Sequence, residues 1–134
     1  MKQNTLLLIK PNATRKHKIG SILKIVEDNG FVIEKLKMFT MDSELANTFY
    51  AEHIGKSFFP QLKSFMLSGK IVDAILSRED AIVKLRELVG NTNFEKAAPG
   101  TIRFLFADSF TENAVHASDS PESAEREIGL IFSK

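Results

Sequence analysis

The apolar run Thr5–Lys10 (TLLLIK) stops at Pro11. A short segment with the apolar centre LLLI, closed by proline, reads as a fully buried strand, which commits the chain to a sheet. The elements that follow read around that strand. Asn12 is placed to cap a helix over 14–28, with Ile19, Ile22, Leu23 and Val26 on one face and Asn29-Gly30 as its stop. Phe31–Thr40 reads as a second strand. Asp42-Ser43 opens a helix in which Leu45/Phe49 and Ala46/Tyr50 stack four apart. Phe58-Phe59-Pro60 starts another, ending near Ser68-Gly69, and Lys70–Leu76 is a third strand. Ser77-Arg78-Glu79-Asp80 resembles a capping box before a helix to Val89, stopped by Gly90-Asn91. Residues 91–100 read as loop. By composition Ile102–Ala107 (IRFLFA) is a strand, interrupted by Arg103, and Ala114–His116 is a short extended piece. The order strand–helix–strand, helical excursion, strand–helix–strand favours an α+β layer of helices over a mostly antiparallel sheet.

A chain of 134 residues with 43% hydrophobic and 26% charged residues has the balance of one globular domain, spanning 1–134. It has no cysteine, which excludes disulfides, thiolate metal sites and thiol catalysis. No membrane-length apolar run or signal peptide is visible, so cytoplasm is the expected location. The net charge is only +1, but residues 1–40 carry eight Lys/Arg against three Asp/Glu, and residues 105–134 carry two against six. Lys10, Arg15, Lys16 and Lys18 thus form an early basic cluster. It reads as solvated surface apart from Lys10.

The segment Asn113–Glu127 carries the chemistry. A short strand delivers His116, and the chain turns through Ser118, Asp119 and Ser120 into a helix with Pro121 in its first turn. An imidazole beside a helix N-terminus suits phosphate, and Glu127 along that helix can fix the second ring nitrogen. His17, within RKHK, and His53 read as exposed and non-catalytic.

NAVHASDSPESAEREI resembles the active-site signature of nucleoside diphosphate kinases, N-x-x-H-G-S-D-S-x-x-S-A-x-x-E-I, at Asn113, His116, Ser118, Asp119, Ser120, Ser123, Ala124, Glu127 and Ile128. Lys10-Pro11, Tyr50 with Phe58-Phe59-Pro60, Lys84–Asn93 and Pro99–Arg103 resemble further motifs of that family, in the same order. The resemblance implies a ferredoxin-like βαββαβ sandwich with a four-stranded antiparallel sheet, added helices and a long loop, residues 90–113, before the last strand. It also implies a short helix near Pro99–Arg103, against the strand read from composition, and we adopt the helix.

The implied activity is transfer of the γ-phosphate of ATP or another nucleoside triphosphate to a nucleoside diphosphate, through a phosphohistidine. On this resemblance His116 is the nucleophile. Lys10, Arg86, Thr92 and Arg103 hold phosphates, and Asn113 binds the sugar with Lys10. Phe58 stacks on the base with Phe110 opposite. Tyr50 hydrogen-bonds near the histidine, Ser118 supports it, and Glu127 orients the ring. Mg²⁺ rides on the nucleotide with no protein cage, and the chain assembles as a homo-tetramer or hexamer. Neither a membrane nor a specific nucleic acid is expected as a partner.

The sequence departs from the pattern at Asn12 (Asp in the family), Phe94 (Pro), Phe104 and Leu105 (a small residue and Asp), and Ala117 (Gly). If position 117 has positive φ, Ala adds about 1 kcal/mol of strain. Two other readings compete. A single-stranded RNA-binding module rests on IRFLFA as a strand with aromatics, and a nucleotide-binding member without kinase activity rests on the departures.

Overall fold

The computed structural model describes residues 2–133. Its sheet has four strands, β1 (Lys2–Ile9), β2 (Val32–Thr40), β3 (Lys70–Glu79) and β4 (Val115–Ala117), in the order β2-β3-β1-β4. Every neighbouring pair is antiparallel. Leu6, Leu7, Leu8 and Ile9 of β1 are all fully buried, because helices cover both faces of the sheet at its centre. One face packs Leu7, Ile9, Val72, Ala74 and Leu76 against α2 (Ile19–Asp28) and α5 (Ala81–Val89). The other packs Leu6, Leu8 and Ile71 against α3 (Ser43–Phe49), α4 (Phe59–Met66) and α7 (Pro121–Phe132). The α+β ferredoxin-like expectation holds.

Local elements differ from expectation in two places. The helix expected over 14–28 is two, α1 (Pro11–Arg15) and α2, separated at His17, whose φ of 61° is left-handed. Asn12 therefore lies inside α1 and is no cap: the chain enters α1 from Lys10, with Pro11 in its first turn. The Asn12 amide instead donates to Asp108 Oδ2 at 2.9 Å and to the Glu112 carbonyl at 2.8 Å, tying α1 to the distant loop.

Ser77–Asp80 forms no capping box. β3 runs on through Glu79, with Ser77 opposite Val32 in the sheet ladder. Asp80 enters α5 at φ 51° and makes no side-chain cap. Pairing with β1 through Glu79, and with β2 at Ser77, keeps these residues extended, and that pairing outweighs the local capping pattern.

The segment read as a strand from composition is α6 (Ile102–Phe106), as the resemblance implied. Thr101 starts it by accepting a hydrogen bond from the Phe104 backbone N–H. A helix here offers no sheet aromatics, which removes the support for the RNA-binding reading. The strain expected at Ala117 is absent too, since the positive-φ non-glycine residues are His17, Asp80 and Ala114. Ala114 carries a φ of 78° just before β4, where the chain turns to present His116.

Candidate active site

His116 sits on β4 opposite Leu8 of β1, and its ring projects toward α7 and α3. Its Nε2 lies 2.8 Å from Glu127 Oε1. The Ser118 hydroxyl donates to the same carboxylate oxygen at 2.7 Å. Burial raises the Glu127 pKa, but the bonds from His116 and Ser118 outweigh it and hold the carboxyl below its ordinary value. An ionised carboxylate can only accept, so in the neutral ring Nε2 carries the proton and Nδ1 the lone pair. The edge of Phe49 packs on the ring with centroids 5.3 Å apart. Ser120 caps α7 by accepting from the Ser123 N–H, as its sequence position implied.

A cavity of about 200 Å³ opens beside the ring. Its lining includes Lys10, Arg86, Thr92, Arg103, Asn113 and His116, so the predicted phosphate and sugar residues come together. Lys10 is 7% exposed and donates to Asn113 Oδ1 at 2.9 Å. Burial, with the Arg103 charge nearby, lowers its pKa from 10.5 to about 7. Arg103 reaches the site from α6. Its guanidinium donates to the carbonyls of Val115 at 2.9 Å and Gly90 at 3.1 Å, while its buried Nε has no hydrogen-bond partner among the described residues. Burial and Arg86 lower its pKa to about 10, so it remains a cation at neutral pH.

Gly90 is required in this arrangement. Its φ is 94°, and a Cβ there would lie 2.6 Å from Thr101 Oγ1, at the cap of the helix that carries Arg103. Arg86 projects from α5 and donates to the Ala117 carbonyl at 3.4 Å, next to the histidine. Two cationic side chains and a buried lysine therefore converge where the imidazole is held.

Phe58 and Phe110 line the same cavity, 44% and 64% exposed. Exposed aromatic faces at a cavity mouth suit stacking on a flat ring. Two predicted roles change. Tyr50 lines the cavity, but its buried hydroxyl makes no hydrogen bond among the described residues, so the expected bond near the histidine is not formed. His53 is a half-buried wall of the cavity rather than an exposed bystander. It stacks on Tyr50 at 6.1 Å and meets Phe58 edge-on at 5.2 Å. The short helix Ala51–His53 turns it inward, a turn that no sequence signal had marked.

The remaining early basic residues lie outside the cavity lining. Lys16 pairs with Asp108 at 2.8 Å, and Arg15 lies 3.9 Å from Glu112. Phe104 and Leu105 are about half exposed on α6, with no part in the cavity lining.

Fold and site together describe a phosphate-handling enzyme: a carboxylate-held imidazole faces a cationic, aromatic-rimmed cavity. The comparisons agree. The family model for nucleoside diphosphate kinase matches residues 3–134. A nucleoside diphosphate kinase of Actinobacillus pleuropneumoniae serotype 5b is 51% identical over 132 residues, covering 98% of this chain and 96% of that protein. The solved nucleoside diphosphate kinase of Aquifex aeolicus superposes with a TM-score of 0.95 at 45% identity, over 98% of this chain and 96% of that one. A halophilic one from Halobacterium salinarum, in complex with CDP, gives 0.96 at 35% identity, over 100% and 90%. The chain belongs to the nucleoside diphosphate kinase family. It is a nucleotide-binding transferase that moves the γ-phosphate of a nucleoside triphosphate to a nucleoside diphosphate.

Glu127→Gln tests the ring-holding geometry. A carboxamide can donate as well as accept, so which ring nitrogen carries the proton is no longer specified. We expect a roughly 10²-fold fall in kcat with little change in KM, measured by steady-state kinetics. A change confined to KM would assign Glu127 to nucleotide binding instead.

Proposed function

We propose that His116 Nδ1 is the phosphoryl carrier of a ping-pong reaction. The observation that carries this reading is the 2.8 Å contact between Nε2 and Glu127 in a cavity lined by Lys10, Arg86 and Arg103. Nδ1 attacks the γ-phosphorus in line with the β–γ bridging oxygen. The N–P bond forms, the P–O bond breaks, and the diphosphate leaves with that oxygen. A second nucleoside diphosphate then attacks through a β-phosphate oxygen and restores the free ring. No base is needed, because Nδ1 starts unprotonated and the Nε2 proton stays against Glu127.

Phosphoryl transfer depends on positioning and on positive charge spread around the phosphorus. Lys10, Arg86 and Arg103 supply that charge, and Thr92 donates to a phosphate oxygen. Asn113, held by Lys10, meets the sugar hydroxyls. Phe58 stacks on the base with Phe110 opposite, and Tyr50 and Ser118 support the wall around the ring. Stacking leaves the base edges unread, so all common bases are accepted.

Mg²⁺ enters as part of the nucleotide. Among the described residues no three His, Asp or Glu side chains converge to hold it, and the lining cations suit phosphate oxygens instead. Bound there, it neutralises phosphate charge and orients the tail. Among the described residues no helix is long and apolar enough to cross a membrane. We place the protein in the cytoplasm as a homo-oligomer, tetramer or hexamer.

Incubation with γ-labelled ATP and Mg²⁺ tests the reading. We expect one label per chain, stable to alkali and lost in acid, that a chase with GDP or CDP moves quantitatively onto the nucleotide. Nucleotide binding without retained label would overturn it.

A further inference from the structure

Phe110 and Asn113 stand on one closed turn after α6. The backbone N–H groups of Asp108 and Ser109 donate to the Glu112 carbonyl at 2.8 and 3.3 Å. The Ser109 hydroxyl accepts from the Glu112 N–H at 3.0 Å. Phe110 lies within the turn, exposed at the cavity. Asn113 closes its base: the amide donates to the Phe110 carbonyl at 3.1 Å, and the oxygen accepts from Lys10. Where this turn sits decides where both side chains sit.

The start of α1 holds the turn to the rest of the molecule. Asn12 is 3% exposed, and its amide nitrogen faces two acceptors, Asp108 Oδ2 at 2.9 Å and the Glu112 carbonyl at 2.8 Å. One side chain thus grips both ends of the turn, with one hydrogen for each. Lys16 also bonds Asp108, at 2.8 Å, but that pair lies partly in solvent and holds weakly. The bonds from Asn12 are shielded, and the one to a carboxylate is charge-assisted. Burial pushes the Asp108 pKa up, but the bonds from Lys16 and Asn12 outweigh that and hold it below the usual carboxylate value. Two acceptors fix the amide with its nitrogen toward the turn. Asn12 Oδ1 is then buried with no hydrogen-bond partner among the described residues, a cost that the two donated bonds offset.

We propose that Asn12 is a positioning residue for nucleoside binding: by tying both ends of the 108–112 turn, it holds Asn113 and Phe110 where sugar and base arrive. This rests on the reading that Asn113 and Phe110 meet the nucleoside. Asn12 is not among the residues lining the cavity, so it acts through the turn. The phosphoryl end is anchored separately, His116 by Glu127 and Arg103 by the Val115 and Gly90 carbonyls. Releasing the turn therefore weakens the hold on the nucleoside and spares the chemistry. A turn in place only about a tenth of the time raises the apparent dissociation constant of a nucleotide roughly tenfold and leaves the rate at saturation unchanged.

The test compares two phosphoryl donors in the full chain: ATP, which carries a nucleoside, and phosphoramidate, which does not. Asn12→Asp removes both donated bonds and sets a carboxylate against Asp108. We expect its KM for ATP to rise roughly tenfold with kcat within about twofold of wild type. Phosphoenzyme formation from phosphoramidate, followed by native mass spectrometry, should stay within about twofold, because that donor never meets the turn. Adding Asp108→Asn rebuilds the amide–carboxylate bond in reverse and should bring KM back to within about threefold of wild type, which also shows that the fold survives. Equal losses with both donors, an unchanged KM for ATP in Asn12→Asp, or no recovery in the double variant overturns the proposal. Failure of the underlying reading looks different. Asn113→Ala and Phe110→Ala would then leave KM for ATP at the wild-type value, and the proposal would fall with it. If those two raise KM while Asn12→Asp does not, the proposal alone fails.

Discussion

His116→Ala is expected to take up no label from γ-labelled ATP and to lose at least about 10⁴-fold in kcat. The change removes the atom proposed to form the N–P bond and leaves the rest of the site standing. Lys10 stays bonded to Asn113, Arg103 to the Val115 and Gly90 carbonyls, and Ser118 to Glu127. Nucleotide affinity should therefore change little, which isothermal titration with ADP can check. The truncation also opens a space beside Glu127, so added imidazole should restore part of the phosphate transfer to acceptor. Full phosphotransfer by the alanine variant, without added imidazole, would make direct transfer between nucleotides the mechanism.

Lys10→Met is expected to cost 10²- to 10³-fold in kcat/KM, the roughly expected range for removing one preorganised donor from developing charge. Methionine keeps the unbranched length of the stem, so the loss reports the ammonium. The pH dependence carries a sign. In the free enzyme burial lowers the Lys10 pKa to about 7. The cation is present below that pH and lost above it, so kcat/KM for ATP should fall as pH rises through about 7. Phosphate contact restores the charged form, so ATP binding at about pH 8 should take up protons, detectable by calorimetry in buffers of different ionisation enthalpy. Lys10→Met should show neither effect.

Stability follows the same group in the opposite direction. Between about 7 and 10.5 the unfolded chain holds a proton on Lys10 that the native chain does not. The cost of burying the ammonium is thus fully present below about pH 7 and is relieved as pH rises across that window. Lys10→Met should raise the melting temperature more at acid than at alkaline pH.

Much of the site could be read in the chain because its pieces are short and local. Asn113, His116, Ser118, Ser120 and Glu127 fall within 15 residues, and the cap of α7 and the helical reach of Glu127 are matters of spacing alone. The alternation of apolar strands and amphipathic helices likewise announced the layered sheet, since period and turn residues are carried locally. IRFLFA shows the limit of that argument. Composition favours a strand, yet Thr101 caps a helix and Arg103 finds its carbonyl partners at Gly90 and Val115.

What the linear chain could not announce are interactions across long separations. Lys10 and Asn113 lie 103 residues apart, and Asn12 and Asp108 lie 96 apart. Whether Lys10 is a soaked surface cation or a desolvated one depends on the loop that closes over it. Asp73 is the sharpest case. In KIVDAIL it could belong to an edge or to solvent, and only the assembled order β2-β3-β1-β4, with helices on both faces, buries it. Local segments carry residue types, periods and caps; dielectric and charge balance arise where distant segments exclude water together.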